Sequence, residues 1–280
     1  MMLVTGATGT VGAEVARLLA PRFPVRLMSR RPESAGVPQA EHVRADYEDA
    51  ASVARAMAGV RAVFLVTANP LREHDTTVLE AARAAGVRRV VKLSAAAVTD
   101  PLAVDLVTSW QRRAERAVRS GGMEWTLLRP RAFMSNTLSW ARSVAEEDTV
   151  RVPHPHSRNA CVDPRDVAGA AVRVLTEPGH GQRAYVLTGP EALSAAEQTE
   201  VLARVLGREL RCERQDAADA VAALNRRYPA PVAEALWESA RRQREGAKQD
   251  VDPALARLLG RPCGDYRSWA LDHAEAFKKS

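Results

Sequence analysis

Residues 2 to 12 read Met-Leu-Val-Thr-Gly-Ala-Thr-Gly-Thr-Val-Gly, a short apolar strand that runs into glycines at Gly6, Gly9 and Gly12. A chain that leaves a strand, turns at once and enters a helix points the unsatisfied N–H groups and the dipole of that helix at whatever lies above the turn, an arrangement suited to a pyrophosphate. In such a turn Gly6 permits the sharp bend, Gly9 lets the backbone approach a phosphate with no Cβ in the way, and Gly12 lets the first helix pack close to the sheet. Val11, Val15, Leu18 and Leu19 supply the apolar face of that helix. The competing reading is a tight strand-to-helix turn that binds nothing. A glycine triplet that follows a strand, opens a helix and lies in a βαβ unit favours the dinucleotide.

Outward from this motif, strand patterns recur at Val25 to Met28, His42 to Ala45, Ala62 to Val66, Arg89 to Leu93 and Trp125 to Leu128. Helical patterns separate them: Ser52 to Met57, Glu73 to Ala85, and Leu102 to Arg119, the last stopped by Gly121 and Gly122. Alternating helices and continuous apolar strands predict an α/β fold, a doubly wound parallel sheet with its ligand crevice at the carboxyl ends of the strands. Asp163-Pro164-Arg165-Asp166 predicts a capped helix through Leu175, and Ala184 to Leu187 a further strand. From Cys212 to Gln249 the chain reads as two polar helices broken at Tyr228-Pro229-Ala230-Pro231, either a flap over the crevice or a peripheral surface pair. The expected organisation is a nucleotide-binding domain over residues 1–150, with its core also receiving about 160–190, and a substrate region over 191–280 carrying a helical lid at about 212–249.

Composition narrows the classes. Of 280 residues, 46% are hydrophobic and 26% charged, as in ordinary globular proteins. The net charge of +6 comes almost entirely from arginine, and a positive field helps attract an anionic cofactor. The basic residues are not clustered with aromatics in a recognition module, so no nucleic-acid partner is expected. Cys161, Cys212 and Cys263 are odd in number and form no C-x-x-C pair, which reads as reduced thiols. With a strand starting at residue 2 and no apolar run long enough to span a bilayer, a cytoplasmic protein is expected. His154 and His156 have no third ligand of obvious spacing, so no metal is expected.

The end of the second strand selects the cofactor. Where an acid would bind a free ribose hydroxyl, this chain has Ser29-Arg30-Arg31. A guanidinium grips a 2′-phosphate with two hydrogen bonds and stacks on adenine, so NADP is favoured over NAD. Asp46, followed by Tyr47, ends the third strand, where a carboxylate accepts from the adenine amino group. Thr67, Ala68 and Asn69 end the fourth strand beside the cofactor path, and Ser94 ends the fifth, where the nicotinamide half is expected. The cofactor set is completed by Gly6, Thr8, Gly9, Thr10 and Val11 at the turn and by Pro130 after the sixth strand.

With these residues in place the chain resembles the NmrA-like group of atypical short-chain dehydrogenase/reductases. The resemblance rests on Val4 to Gly12, on Ala45-Asp46-Tyr47-Glu48-Asp49, on Val87 to Ser94, on Glu124-Trp125-Thr126-Leu127-Leu128-Arg129-Pro130-Arg131-Ala132-Phe133-Met134-Ser135-Asn136, and on Val186 to Ser194. It implies a Rossmann-type sheet, NADP and a small C-terminal substrate region, in a group that holds quinone and ketone reductases as well as redox sensors. One departure stands out. Typical short-chain dehydrogenases protonate a carbonyl with a tyrosine followed four residues later by lysine, and none of Tyr47, Tyr185, Tyr228 and Tyr266 has lysine at that spacing.

Hydride transfer itself requires proximity and a dry pocket, and the proton can come from water or from the substrate. Ser94, Ser109 or Tyr228 could orient the reacting oxygen, with Ser94 the weak catalytic candidate. The expected function is an NADPH-dependent reductase of a ketone or quinone on a bulky, aromatic, polyketide-like small molecule, as in antibiotic biosynthesis, with Phe133, Met134, Tyr228 and Trp237 forming apolar walls. The alternative is a non-catalytic NADP-binding redox sensor. The oligomeric state is not legible.

Overall fold

Strands form before each turn, and the central ones are apolar and buried on both faces, leaving period-two alternation no role, while Glu41–Arg44 at the sheet edge is largely exposed. In the computed structural model, which describes residues 1–31 and 36–278, they are β1 (Met2–Val4), β2 (Val25–Ser29), β3 (Glu41–Arg44), β4 (Ala62–Leu65), β5 (Arg89–Leu93) and β6 (Glu124–Pro130). After β7 (Thr149–Val152), which lies in another sheet, β8 (Arg183–Leu187) completes a seven-stranded sheet of order β3-β2-β1-β4-β5-β6-β8. The pairs from β3 through β6 are parallel, with Val4 opposite Leu27 on one side and Phe64 on the other. This is the Rossmann order, with a switch point between β1 and β4 where the crossovers change direction.

Helices α1 (Thr10–Leu19), α2 (Ala50–Ala56), α3 (His74–Ala84) and α4 (Leu106–Ser120) follow successive strands. Two of them start where capping dictates, away from the start of the hydrophobic pattern. Asp49 accepts from the Ser52 N–H at 3.1 Å and opens α2 at Ala50, ahead of the expected Ser52. Asp105 accepts from the Thr108 N–H at 2.9 Å and from its hydroxyl at 2.7 Å, and α4 begins at Leu106 instead of Leu102. A core cluster around Leu3, Val53, Val63, Leu65, Val78 and Leu127 fills one face of the sheet against α2 and α3.

The chain divides into two compact units, one of residues 1–98, 110–130 and 164–186, the other of 99–109, 131–163 and 187–280. The first holds most of the sheet, together with α6 (Pro164–Thr176), which packs on α1. In the second lie α5 (Ala141–Glu147), α7 (Ala195–Leu206), β9 (Arg211–Arg214), α8 (Ala217–Arg227), α9 (Ala230–Arg244), α10 (Ala254–Leu259) and α11 (Tyr266–Asp272). Residues 131–150, read from the sequence with the nucleotide-binding domain, pack in this second unit, because Met134, Val144 and Val150 join the core of Leu202, Tyr266, Trp269 and Phe277.

The segment from Cys212 is not wholly helical, which corrects the sequence reading. Arg211–Arg214 is a strand paired in parallel with β7, Val150 opposite Cys212. Leu210 and Cys212 turn inward against the second core while Arg211 and Glu213 stay exposed, an alternation too short to register beside the long helices that follow. The expected two helices are present after it, separated at Tyr228-Pro229.

Candidate cofactor and substrate sites

The glycine turn is built for close approach. Gly6 has a φ of +60°, and its carbonyl accepts from the Gly9 N–H at 2.9 Å. A Cβ on Gly12 would lie 2.2 Å from the Gly6 carbonyl oxygen, so only glycine allows α1 to start directly beneath the turn. Gly9 is the N-cap of α1 with no side-chain cap, and Thr8, Gly9 and Thr10 are exposed while Val11 is buried beneath them. The first-turn N–H groups of a ten-residue helix therefore point outward without a protein cap, which fits an anion.

The crevice beside that turn is fixed by side chains that grip the β4 end. The Thr5 hydroxyl oxygen accepts from the Val66 N–H at 2.7 Å and lies 3.1 Å from the Val66 carbonyl, and the Tyr47 hydroxyl donates to that same carbonyl at 2.8 Å. Burial raises the Tyr47 pKa, and its ring stacks on His74 at 4.9 Å between centroids. Asp46 accepts from the Glu48 N–H at 3.1 Å through one carboxylate oxygen. Ser29 at the end of β2 has a buried hydroxyl with no partner, an orphan that fits a ribose or phosphate oxygen. Arg30 and Arg31 follow it, both exposed, and the Arg30 charge reaches Tyr47. Thr5 was not singled out from the sequence, and the only signal for it is its place between strand and first glycine.

Two expected residues are committed to internal networks. The Thr67 hydroxyl donates to Asp75, which forms a buried ion pair with Lys92 at 3.2 Å, and the Lys92 ammonium also lies 5.5 Å from the Trp110 ring centre. Burial lowers the Lys92 pKa against the opposing pull of Asp75. Ser94 donates to Glu115 at 2.7 Å, and Arg129 holds the same carboxylate through two hydrogen bonds of 2.8 and 2.6 Å. Burial opposes ionisation of Glu115, but the Arg129 and Ser94 hydrogen bonds outweigh it and hold its pKa below the usual value. The Ser94 proton is thus directed at a carboxylate. Ala68 is exposed at the end of β4, and Pro130 is buried at the end of β6.

The second unit contains a cavity of about 280 Å³ whose wall includes Phe133, Trp140, His154, Asn159, Cys161 and Gln243. Phe133 is held by a bridge to Val162, and Asn159 by a bridge to Leu193. The Asn159 amide donates to Gln243 at 3.1 Å, and Gln243 donates to the Ser157 carbonyl at 3.0 Å. This leaves the Asn159 Oδ1 and the His154 Nε2 buried without partners in the wall. Burial, with Arg244 and Arg214, holds the His154 pKa below its ordinary value, so its imidazole is neutral at pH 7. Burial pushes the Cys161 thiol up to about 11, which makes it a poor nucleophile.

The structure places the four expected substrate residues differently from one another. Phe133 is in the cavity wall; Met134 is only 1% exposed and belongs to the core behind it. Trp237 stands one layer back, its ring 5.9 Å from that of His154, while Ala240 and Gln243 of the same helix reach the wall. Tyr228 sits at the α8–α9 break with the Arg227 guanidinium 5.5 Å from its ring centre, and it does not line this cavity. Trp140, Asn159 and Gln243 were missed. Their signal was weak, because Asn159 is an isolated polar residue in a loop, Trp140 ends a short 3-10 helix, and Gln243 is one polar residue among many on α9. Among the described residues no group of three or more His, Cys, Asp or Glu is placed to hold a metal, and no helix is long and apolar enough to cross a membrane.

A family model described as NAD(P)H-binding matches residues 6–178. The chain is 53% identical over 279 residues, 99% of each chain, to a (4-alkanoyl-5-oxo-2,5-dihydrofuran-3-yl)methyl phosphate reductase of Streptomyces griseus subsp. griseus. It is 31% identical to an NAD(P)H azoreductase of Xenophilus azovorans, again covering 99% of each. A crystal structure of an NADPH-dependent quinone oxidoreductase from Escherichia coli complexed with NADPH superposes with a TM-score of 0.85 at 27% identity, covering 98% of this chain and 99% of the other.

Proposed function

The chain belongs to the NAD(P)H-binding family, among the atypical short-chain dehydrogenase/reductases, and we propose that it is an NADPH-dependent reductase acting on the ring double bond of an acylated furanone. The observation that carries this reading is the likeness of 53% across 99% of both chains to a reductase of that substrate class. Relatives matched over nearly their whole length are named as reductases, which supports turnover over the sensing alternative. NADPH, when bound, supplies hydride. The glycine turn and α1 would hold its pyrophosphate, the Ser29 hydroxyl and Arg30 its 2′-phosphate end, and Asp46 its adenine.

The missing Tyr/Lys pair fits this chemistry. In a 4-alkanoyl-5-oxo-2,5-dihydrofuran the ring double bond ends on a carbon flanked by the lactone and alkanoyl carbonyls. Reduction adds hydride to the far end of that bond, and the charge left between two carbonyls is delocalised over both oxygens. Water suffices to protonate such a carbon, so a dedicated strong acid has little to add. What the protein must provide is orientation and exclusion of water. In the second unit the apolar Phe133 and Trp140 and the unpartnered Asn159 Oδ1 and His154 Nε2 support recognition of a small molecule with an apolar arm and a polar ring.

A second reading, an aromatic ketone of polyketide type, draws on the same two aromatic walls. NADPH consumption with the furanone phosphate, a polycyclic ketone and a quinone separates the two. The furanone is expected to react with the highest kcat/KM. A preference for the ketone at equal concentration would favour the second reading, and no turnover with any of the three would remove both.

A further inference from the structure

Two cations of the second unit, Arg131 and Lys248, lie behind the cavity wall with no carboxylate among the described residues in ion-pair contact, although Asp100, Asp105 and Asp250 act on them from farther off. Arg131 precedes Ala132 and Phe133 of the wall; its backbone N–H donates to the Leu187 carbonyl at 2.9 Å, while its Nε is buried and has no partner. Lys248 is tied through its backbone to the same wall segment, Ala160–Val162. Its carbonyl accepts from the Ala160 N–H at 2.9 Å, just as the Ala132 carbonyl accepts from the Val162 N–H at 2.9 Å. Its ammonium donates to the Ser239 hydroxyl at 2.7 Å, one bond for a group with three donors. By contrast Arg142, Arg151, Arg158, Arg208, Arg241 and Arg242 of the same unit each have a carboxylate partner.

We propose that Arg131 and Lys248 together receive the phosphomonoester of the substrate, at the margin of the cavity that holds its ring. This rests on the furanone reading for the identity of the substrate, though the anion site is argued from these residues alone. A guanidinium with an unused buried N–H and an ammonium with spare donors match the several acceptor oxygens of a phosphate dianion. The electrostatics agree. Burial, followed by the Arg131 charge, lowers the Lys248 pKa to about 8, and the opposing pull of Cys161 and Asp105 is too weak to restore it. Arg131 remains charged through the range in which Lys248 titrates, although burial lowers its pKa too, against Asp250 and Asp100. Like charges kept together at such a cost ask for an anion between them. Because a phosphomonoester becomes a dianion near pH 6, binding is strongest between about pH 6 and 8 and weakens above, as Lys248 loses its proton.

The test uses hexyl phosphate as the probe, measured by calorimetry on the whole chain saturated with NADP. Lys248→Met and Arg131→Gln are each expected to weaken binding at pH 7 by about tenfold or more, with Lys248→Arg retaining most of it. Wild-type binding is expected to fall between pH 7 and pH 9.5. Undiminished binding in both charge-removing variants, or no binding by the wild type, overturns the proposal. In parallel, the furanone phosphate and its dephosphorylated alcohol are compared as substrates; the preference for the phosphate is expected to collapse toward unity in Lys248→Met. If no furanone is reduced but hexyl phosphate still depends on both residues, the functional reading fails and the anion site stands. If furanone phosphate is reduced and both variants keep the full preference, the anion site fails and the functional reading stands.

Discussion

Removing the charge of Lys248 should make the ligand-free protein more stable. The gap between an ordinary lysine at 10.5 and Lys248 at about 8 corresponds to roughly 3 kcal/mol against the folded state while the group is protonated both folded and unfolded. That penalty is complete below about pH 8, shrinks as pH rises and the folded protein alone loses the proton, and vanishes above about 10.5. Lys248→Met keeps the buried aliphatic stem and removes the penalty, but it leaves the Ser239 hydroxyl without its donor, a loss of about 1 kcal/mol. The net expectation is a gain of about 2 kcal/mol at pH 7, falling toward zero or below near pH 10. Urea unfolding in phosphate-free buffer at both pH values measures it, provided the slope of the transition is the same in both proteins. A variant less stable than wild type at pH 7, or a difference that does not depend on pH, refutes the argument that Lys248 is a strained cation.

Three further outcomes follow, two of them from the cofactor side. Arg30→Ala should narrow the preference for NADPH over NADH by roughly 1 to 3 kcal/mol, the scale of a charged hydrogen bond, and equal affinities in the parent protein would refute the phosphate grip. Gly9→Ala should fold with a modest loss of stability, since its φ of −90° suits alanine but its Cβ would stand a tight 3.3 Å from the Gly6 carbonyl oxygen, and it should bind NADPH poorly; Gly12→Ala, with 2.2 Å to that oxygen, should lose both. Thermal melts with and without NADPH separate these cases. Tyr228→Phe should retain turnover within about tenfold, because a true general acid contributes 10²- to 10⁴-fold; abolished turnover with NADPH affinity intact would assign Tyr228 the acid role.

The sheet was legible because the turn chemistry and the apolar runs agree: Gly6, Gly9 and Gly12 follow β1 immediately, and the Arg89–Leu93 strand was read to the residue. Helix starts were less legible wherever a cap such as Asp49 or Asp105 precedes the hydrophobic pattern. The helix at Ala195 was missed although Ser194 and Glu197 form a capping box, which is a readable signal. The substrate side was hardest. Its polar groups come from two distant segments, His154 and Asn159 after β7 and Gln243 on α9, and what makes His154 and Asn159 notable is burial without a full set of partners, a property of the folded chain alone. The same holds for Arg131 and Lys248, which lie 117 residues apart in the sequence and come near each other only in the folded chain. Thr67 and Ser94 show the converse, since residues well placed by pattern turned out to be bonded to Asp75 and Glu115.

The central claim is that the reduced bond is the ring double bond, without a protein acid. Turnover of the furanone phosphate with NADPH deuterated at the transferred position, followed by NMR of the product, tests it directly. The account predicts one deuterium on the ring carbon bearing the phosphorylated methyl group, a hydrogen exchanged from solvent on the carbon between the two carbonyls, and both carbonyls intact. Deuterium on a carbinol carbon, from reduction of the alkanoyl ketone, would contradict it.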